Sequence, residues 1–118
     1  MADLKNLKCV PCESEILPLT KDEIEEMLDE IPEWKLVEVE SVSHLKRTFK
    51  FKDFAKALEF TNQVGAVAEH EGHHPVIELT WGRVNLEWWT HNIQGLHAND
   101  FIMAAKSSEL YESIQSFS

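Results

Sequence analysis

The chain has 118 residues, 43% apolar and 27% charged. That is enough for one ordinary core, since domains of this size bury about two-thirds of the surface their unfolded chains expose. A net charge of −10 excludes nonspecific nucleic-acid binding and an anionic membrane surface as principal roles, because both draw their affinity from Lys and Arg.

Residues 1–19 show no sustained period and read as an N-terminal arm, and residues 20–118 read as a single domain. Nine acids against three lysines in residues 1–30 place much of the negative charge in the arm and the first helix. Thr20 and Glu23 have the spacing of a capping box. Ile24, Met27, Leu28 and Ile31 follow at helical spacing until Pro32 stops the run. A strand is expected over 34–40 and a partner over 45–51, with Leu45, Arg47, Phe49 and Phe51 on one face and a turn at 41–43. Phe54, Ala57, Leu58, Thr61, Val64 and Ala68 form one stripe of a second helix over 52–71, bracketed by Gly72 and Pro75. Residues 75–81 and 83–91 read as a hairpin around Gly82, and a third helix is expected over 98–114. This order, αββαββα, predicts an α+β fold: a four-stranded antiparallel sheet with three helices packed on one face. The last helix carries Phe101, Ala104 and Tyr111 on one side and Met103, Leu110 and Ile114 on another. A helix apolar on two sides needs two burial partners, which a homo-oligomer or a further contact within the chain would supply.

No apolar run of about 18 residues occurs, and the residues after Met1 lack the apolar middle of a secretory signal, so a soluble, cytoplasmic protein is expected. Cys9 and Cys12 have a spacing used in zinc and redox sites, but they stand in the arm without further ligands and read as incidental.

Five of the six histidines lie between positions 70 and 97. The run from His70 to His74 satisfies the HExxH pattern, whose zinc chemistry needs both histidines one turn apart on a continuous helix. Gly72 inside the motif and Pro75 after it argue against that helix. His70 reads as a solvated helix end, His44 as a surface residue, and His97 as a surface residue or a cap for the third helix. His73 and His74 enter one strand of the hairpin while His91 leaves the other, so antiparallel pairing brings them to the same end. Imidazoles titrate near neutrality, with an unperturbed pKa of about 6.5, and can serve as both acid and base. With neither a persuasive nucleophile nor a phosphate-binding glycine loop, proton transfer without a covalent intermediate remains.

These residues resemble the pterin-4a-carbinolamine dehydratases. The family signature is an acidic residue, then His, His or Asn, a small residue or Pro, an aromatic, a further His or Trp and an Asp at set intervals. Glu69, His73, His74, Pro75, Trp81, His91 and Asp100 fit each element and spacing, and the resemblance runs from about residue 18 to 115 and includes Trp34. It departs at Gly72, where many members carry Asp, and at His97, where a capping hydroxyl is usual.

The resemblance implies dehydration of 4a-hydroxytetrahydropterin to quinonoid dihydropterin, a hydro-lyase step in pterin cofactor recycling, with the pterin as substrate and no cofactor or metal. Family catalytic residues carry onto His73, His74 and His91: His73 and His91 for proton transfer, His74 for orienting the pterin. Glu69 would orient a histidine or contact the pterin, or stand as a surface carboxylate. Trp34 would wall the pocket or pack in the core. Asp100, in the first turn of the last helix, reads as a structural cap before a catalytic group, and Trp81 as packing. The resemblance further implies a homotetramer built from dimers, and an alternative role as a partner-binding regulator of the same fold, since some members stabilise a transcription factor's dimerisation segment.

Overall fold

The computed structural model describes Leu4, residues 19–90, Ile93 and residues 95–116. The rest of the expected arm, with Cys9 and Cys12, lies outside the described residues, as does His91. Leu4 itself is buried against the core and does not stand apart from the domain.

Helix α1, Lys21–Leu28, begins with the expected capping box: the Glu23 amide donates to Thr20 Oγ1 at 3.2 Å and the Thr20 amide to Glu23 Oε1 at 2.9 Å. These bonds to the carboxylate hold the Glu23 pKa below the usual range. Strands β1, Lys35–Val39, and β2, Val42–Lys50, are joined by Glu40 and Ser41, both at positive φ (50° and 69°). The turn therefore falls one residue earlier than expected and Val42 belongs to the strand. Two consecutive left-handed residues match the twist of a two-residue hairpin, a role Gly or Asn usually signals and neither does here.

Helix α2, Phe54–Glu71, starts on Asp53, whose Oδ1 accepts from the Lys56 amide at 2.8 Å. It ends on Gly72 in the left-handed conformation, φ 67°. Strands β3, Val76–Thr80, and β4, Arg83–Trp88, turn through Trp81 and Gly82. A Cβ on Gly82 would stand 3.1 Å from the Phe51 carbonyl oxygen, and the φ of 78° independently favours glycine. Trp81, expected to pack, is 72% exposed, because it stands in the two-residue turn at the hairpin tip and not within either strand. Helix α3, Ala98–Ser116, completes the αββαββα order.

The sheet runs β1-β2-β4-β3 with every pairing antiparallel. Registers such as Leu45↔Trp88 and Phe49↔Val84 put Leu45, Phe49, Val84, Leu86 and Trp88 on one face, all buried with Phe60, Phe101 and Met103 from α2 and α3. Arg47 shares this face. Its guanidinium lies over the Phe49 ring at 4.4 Å and donates to Ser108 Oγ at 2.8 Å, fastening α3 to β2. Burial pushes the Arg47 pKa down, opposed by nearby Glu33.

Burial settles one open alternative and corrects two expectations. Phe101, Ile102, Met103 and Ala104 are all buried within the single chain, so the first turns of α3 find both their partners intramolecularly. Among the described residues the large apolar side chains exposed on a helix are Phe54 and Leu58, both read as part of the α2 stripe; the buried face instead runs through Ala57, Phe60, Val64 and Ala68, which turns those two outward. His44, expected at the surface, is 5% exposed on the opposite side of the sheet, stacked on Trp89 with centroids 3.9 Å apart and rings 3° from parallel. Cross-strand placement beside β4 brings the two rings together and removes the imidazole from water.

Candidate active site

Sequence decides where α2 stops, and the stop positions His73. Gly72 takes the left-handed conformation, so the chain reverses and the His73 amide donates back to the Ala68 carbonyl at 3.1 Å. His73 then turns inward, 9% exposed, with its ring nearly parallel to that of Trp88 at 5.7 Å. The same reversal separates His70 from His74, so the HExxH residues do not share one helical face. Among the described residues no group of three or more His, Cys, Asp and Glu is arranged to hold a metal ion.

His73 Nε2 lies 2.6 Å from Asp100 Oδ1. Asp100, in the first turn of α3, is fully buried. Its other oxygen, Oδ2, accepts from Thr90 Oγ1 at 2.8 Å and from the His97 amide at 2.9 Å. A buried carboxylate persists when donors replace its lost water, and here there are three. Because the carboxylate accepts, we assign the proton of neutral His73 to Nε2, which leaves the Nδ1 lone pair for another partner.

The α3 start is reciprocal. His97 Nδ1 accepts from the Asn99 amide at 3.0 Å while Asp100 accepts from the His97 amide. His97 is thus the cap of the last helix, one of the two roles read for it. Asp100 combines the structural capping expected of it with direct contact to a site histidine.

The other site residues are placed as follows. His74 is exposed, with Nε2 3.6 Å from the exposed carboxylate of Glu69 five residues back, a distance beyond hydrogen bonding. Pro75 leads into β3 and Trp81 stands at the far end of the same hairpin, away from the histidines. Trp34 is 4% exposed, edge-on to Phe49, and its indole N–H donates to Ser108 Oγ at 2.9 Å. Of the two roles read for Trp34, the geometry displays the core one, and its partner Ser108 stands eight residues along α3 from Asp100. His91 lies outside the described residues, but its sequence neighbour Thr90 pairs with Gly95 in an isolated antiparallel bridge.

Sequence reasoning missed Thr90 and Trp88. A signal existed for Thr90: Val84, Leu86 and Trp88 alternate on the core face, and Thr90 continues that register as a buried polar residue next to a histidine.

The fold and the site define a class, an α+β protein that sets a buried histidine–carboxylate pair where the sheet meets two helix ends. The family model for pterin 4 alpha carbinolamine dehydratase matches residues 17–110, and the chain belongs to that family. A Chlorobium limicola relative bearing the pterin-4-alpha-carbinolamine dehydratase name is 53% identical over 112 residues, 95% of this chain and 99% of its own. One from Saccharophagus degradans with the same name is 52% identical over 112 residues, again 95% and 99%. The crystal structure of a transcriptional coactivator/pterin dehydratase from Brucella melitensis is 33% identical, with a TM-score of 0.72 over 79% of this chain and 97% of that one.

Proposed function

We propose that the chain dehydrates 4a-hydroxytetrahydropterin to quinonoid dihydropterin by histidine acid–base catalysis, as a cytoplasmic step of pterin recycling. The observation that carries this reading is the His73–Asp100 pair, a buried imidazole held by a carboxylate in one tautomer, within a chain of this family.

The reaction breaks the C4a–O bond, removes the N5 proton and forms the C4a=N5 double bond, releasing water. Two groups must act on opposite sides of the same change. His73, with Nε2–H directed at Asp100, offers Nδ1 as the base for the N5 proton, and the carboxylate stabilises the imidazolium that results. His91 protonates the departing hydroxyl. His74, exposed beside Glu69, orients the pterin. The chemistry calls for no metal and no cofactor beyond the pterin substrate itself.

The test is conversion of freshly generated 4a-hydroxytetrahydropterin by purified protein without added metal. Acceleration over buffer, retained in chelator, is the expected result; a rate equal to buffer overturns the reading. The coactivator name of the Brucella melitensis relative supports a second, partner-binding role, for which the exposed Phe54 and Leu58 of α2 offer a surface. Pull-down with wild-type and Leu58→Glu protein separates the two, because partner binding responds to that substitution and dehydration does not.

A further inference from the structure

Thr90 has no part in the proton transfers just described, yet it meets the carboxylate that holds one of the histidines assigned to them. Its hydroxyl donates to Asp100 Oδ2 at 2.8 Å, and Asp100 Oδ1 holds His73 Nε2 at 2.6 Å. Its main chain bridges to Gly95: the Thr90 amide donates to the Gly95 carbonyl at 2.9 Å and the Gly95 amide to the Thr90 carbonyl at 3.4 Å. That bridge anchors the Thr90 main chain just past β4. One residue thus joins the carboxylate behind the His73 imidazole to a fixed stretch of backbone.

The carboxylate needs this joint. A terminal Asp torsion is broad, so a single donor leaves the plane of the group loosely set. The His97 amide fixes Oδ2 from the helix side and the Thr90 hydroxyl from the sheet side, and together they direct Oδ1 at His73. Thr90, His73 and Asp100 are all buried, so water has little access to replace a missing donor. A β-branched residue suits the end of a strand, and of those residues only threonine also brings a hydroxyl.

We infer that Thr90 is a positioning residue that sets the plane of the carboxylate orienting His73, and through it the placement of that imidazole. The inference rests on the dehydratase reading for its kinetic consequence, but not for its structural one. In the full-length protein, Thr90→Val keeps the shape and removes the hydroxyl, whereas Thr90→Ser keeps the hydroxyl. Thr90→Val is expected to lower kcat about tenfold, the scale of one charge-assisted hydrogen bond, with KM changed less than about twofold and the acidic limb of the pH profile displaced; Thr90→Ser restores most of the rate. Independently of turnover, ¹⁵N-resolved NMR of the imidazoles is expected to show His73 protonated at Nε2 with a slowly exchanging proton, a signal that Thr90→Val shifts or broadens and Thr90→Ser preserves. Unchanged kcat, pH profile and His73 signals in Thr90→Val would overturn the inference. Should that variant not fold, Thr90→Ala against Thr90→Ser carries the same comparison. If wild-type protein does not dehydrate the carbinolamine, the functional proposal fails while the His73 signals still decide the role of Thr90.

Discussion

His73 Nε2 and Asp100 Oδ1 stand 2.6 Å apart although 27 residues separate them in sequence, one just past the end of α2 and the other in the first turn of α3. The contact makes the acid of a helix cap also the partner of a candidate catalytic base. Asp100→Asn is the most direct test of that double role. The amide retains the shape but also presents an N–H toward His73, favouring the opposite tautomer, and kcat is expected to fall by about 10² or more. Stability is expected to fall by about 1–3 kcal/mol, as buried donors lose a charged acceptor. Steady-state kinetics and urea denaturation check both, and full activity in this variant would remove Asp100 from the site.

His73→Ala and His91→Ala are each expected to lower the dehydration rate by about 10² or more, in the range that positioned acids and bases contribute. His70→Ala, a change at an exposed side chain outside the site, is expected to remain within about twofold of wild type. Equal effects at His70 and His73 would contradict the separation that Gly72 creates between them.

The two tryptophans of the second hairpin are expected to differ sharply in stability. Trp88 is fully buried against the helices, so Trp88→Ala should cost about 3–5 kcal/mol. Trp81 is exposed at the turn, so Trp81→Ser should change stability by about 0.5 kcal/mol or less. Chemical denaturation of both variants decides the matter; comparable losses would mean that Trp81 packs after all.

The α1 cap predicts a pH signature. Glu23 has its pKa lowered in the folded chain by its bonds to Thr20, so its contribution is present above the ordinary carboxylate range and is lost as pH falls through the folded value. The thermal midpoints of wild type and Glu23→Ala are therefore expected to differ near neutrality and to converge in acid. A difference that persists unchanged at low pH would show that the cap does not act through the ionised carboxylate.

With Phe54 and Leu58 exposed on α2, and Leu36 and Val39 on the edge strand β1, the proposed assembly is a homo-oligomer, dimer or tetramer. Light scattering at micromolar concentration is expected to give a multiple of the 13.6 kDa chain mass, and a monomer would reject it.

Much of the fold was legible because local signals agreed. The Thr20–Glu23 box and Gly72 before Pro75 each specify one geometry, and of the α2 stripe Ala57, Val64 and Ala68 are buried as read, while Phe54 and Leu58 face out and Phe60, outside that stripe, is buried. Glu40 and Ser41 were not legible as the turn pair, since neither advertises positive φ. Burial of His44 depends on Trp89, just past the end of β4 and distant in sequence, and the all-round burial of Phe101 to Ala104 on how α3 lies in the finished core. At the site, His73 and His74 stood out as a pair of imidazoles before a proline. The first-turn position of Asp100 suggested only a cap, because nothing local to α3 reveals which imidazole will arrive from α2. Thr90 was hidden by ordinariness, since a threonine at the end of a strand satisfies strand preference before it suggests anything else.

The reciprocal cap at His97 and Asp100 makes the order of the α3 start and the readiness of the site a single local equilibrium. Fraying of that first turn is expected to withdraw the carboxylate from His73, so amide exchange at Asn99 and Asp100 would report how often the His73–Asp100 pair opens. A substitution elsewhere that raises this opening would slow turnover without touching an imidazole, and tightening the turn would raise the fraction of molecules ready to react.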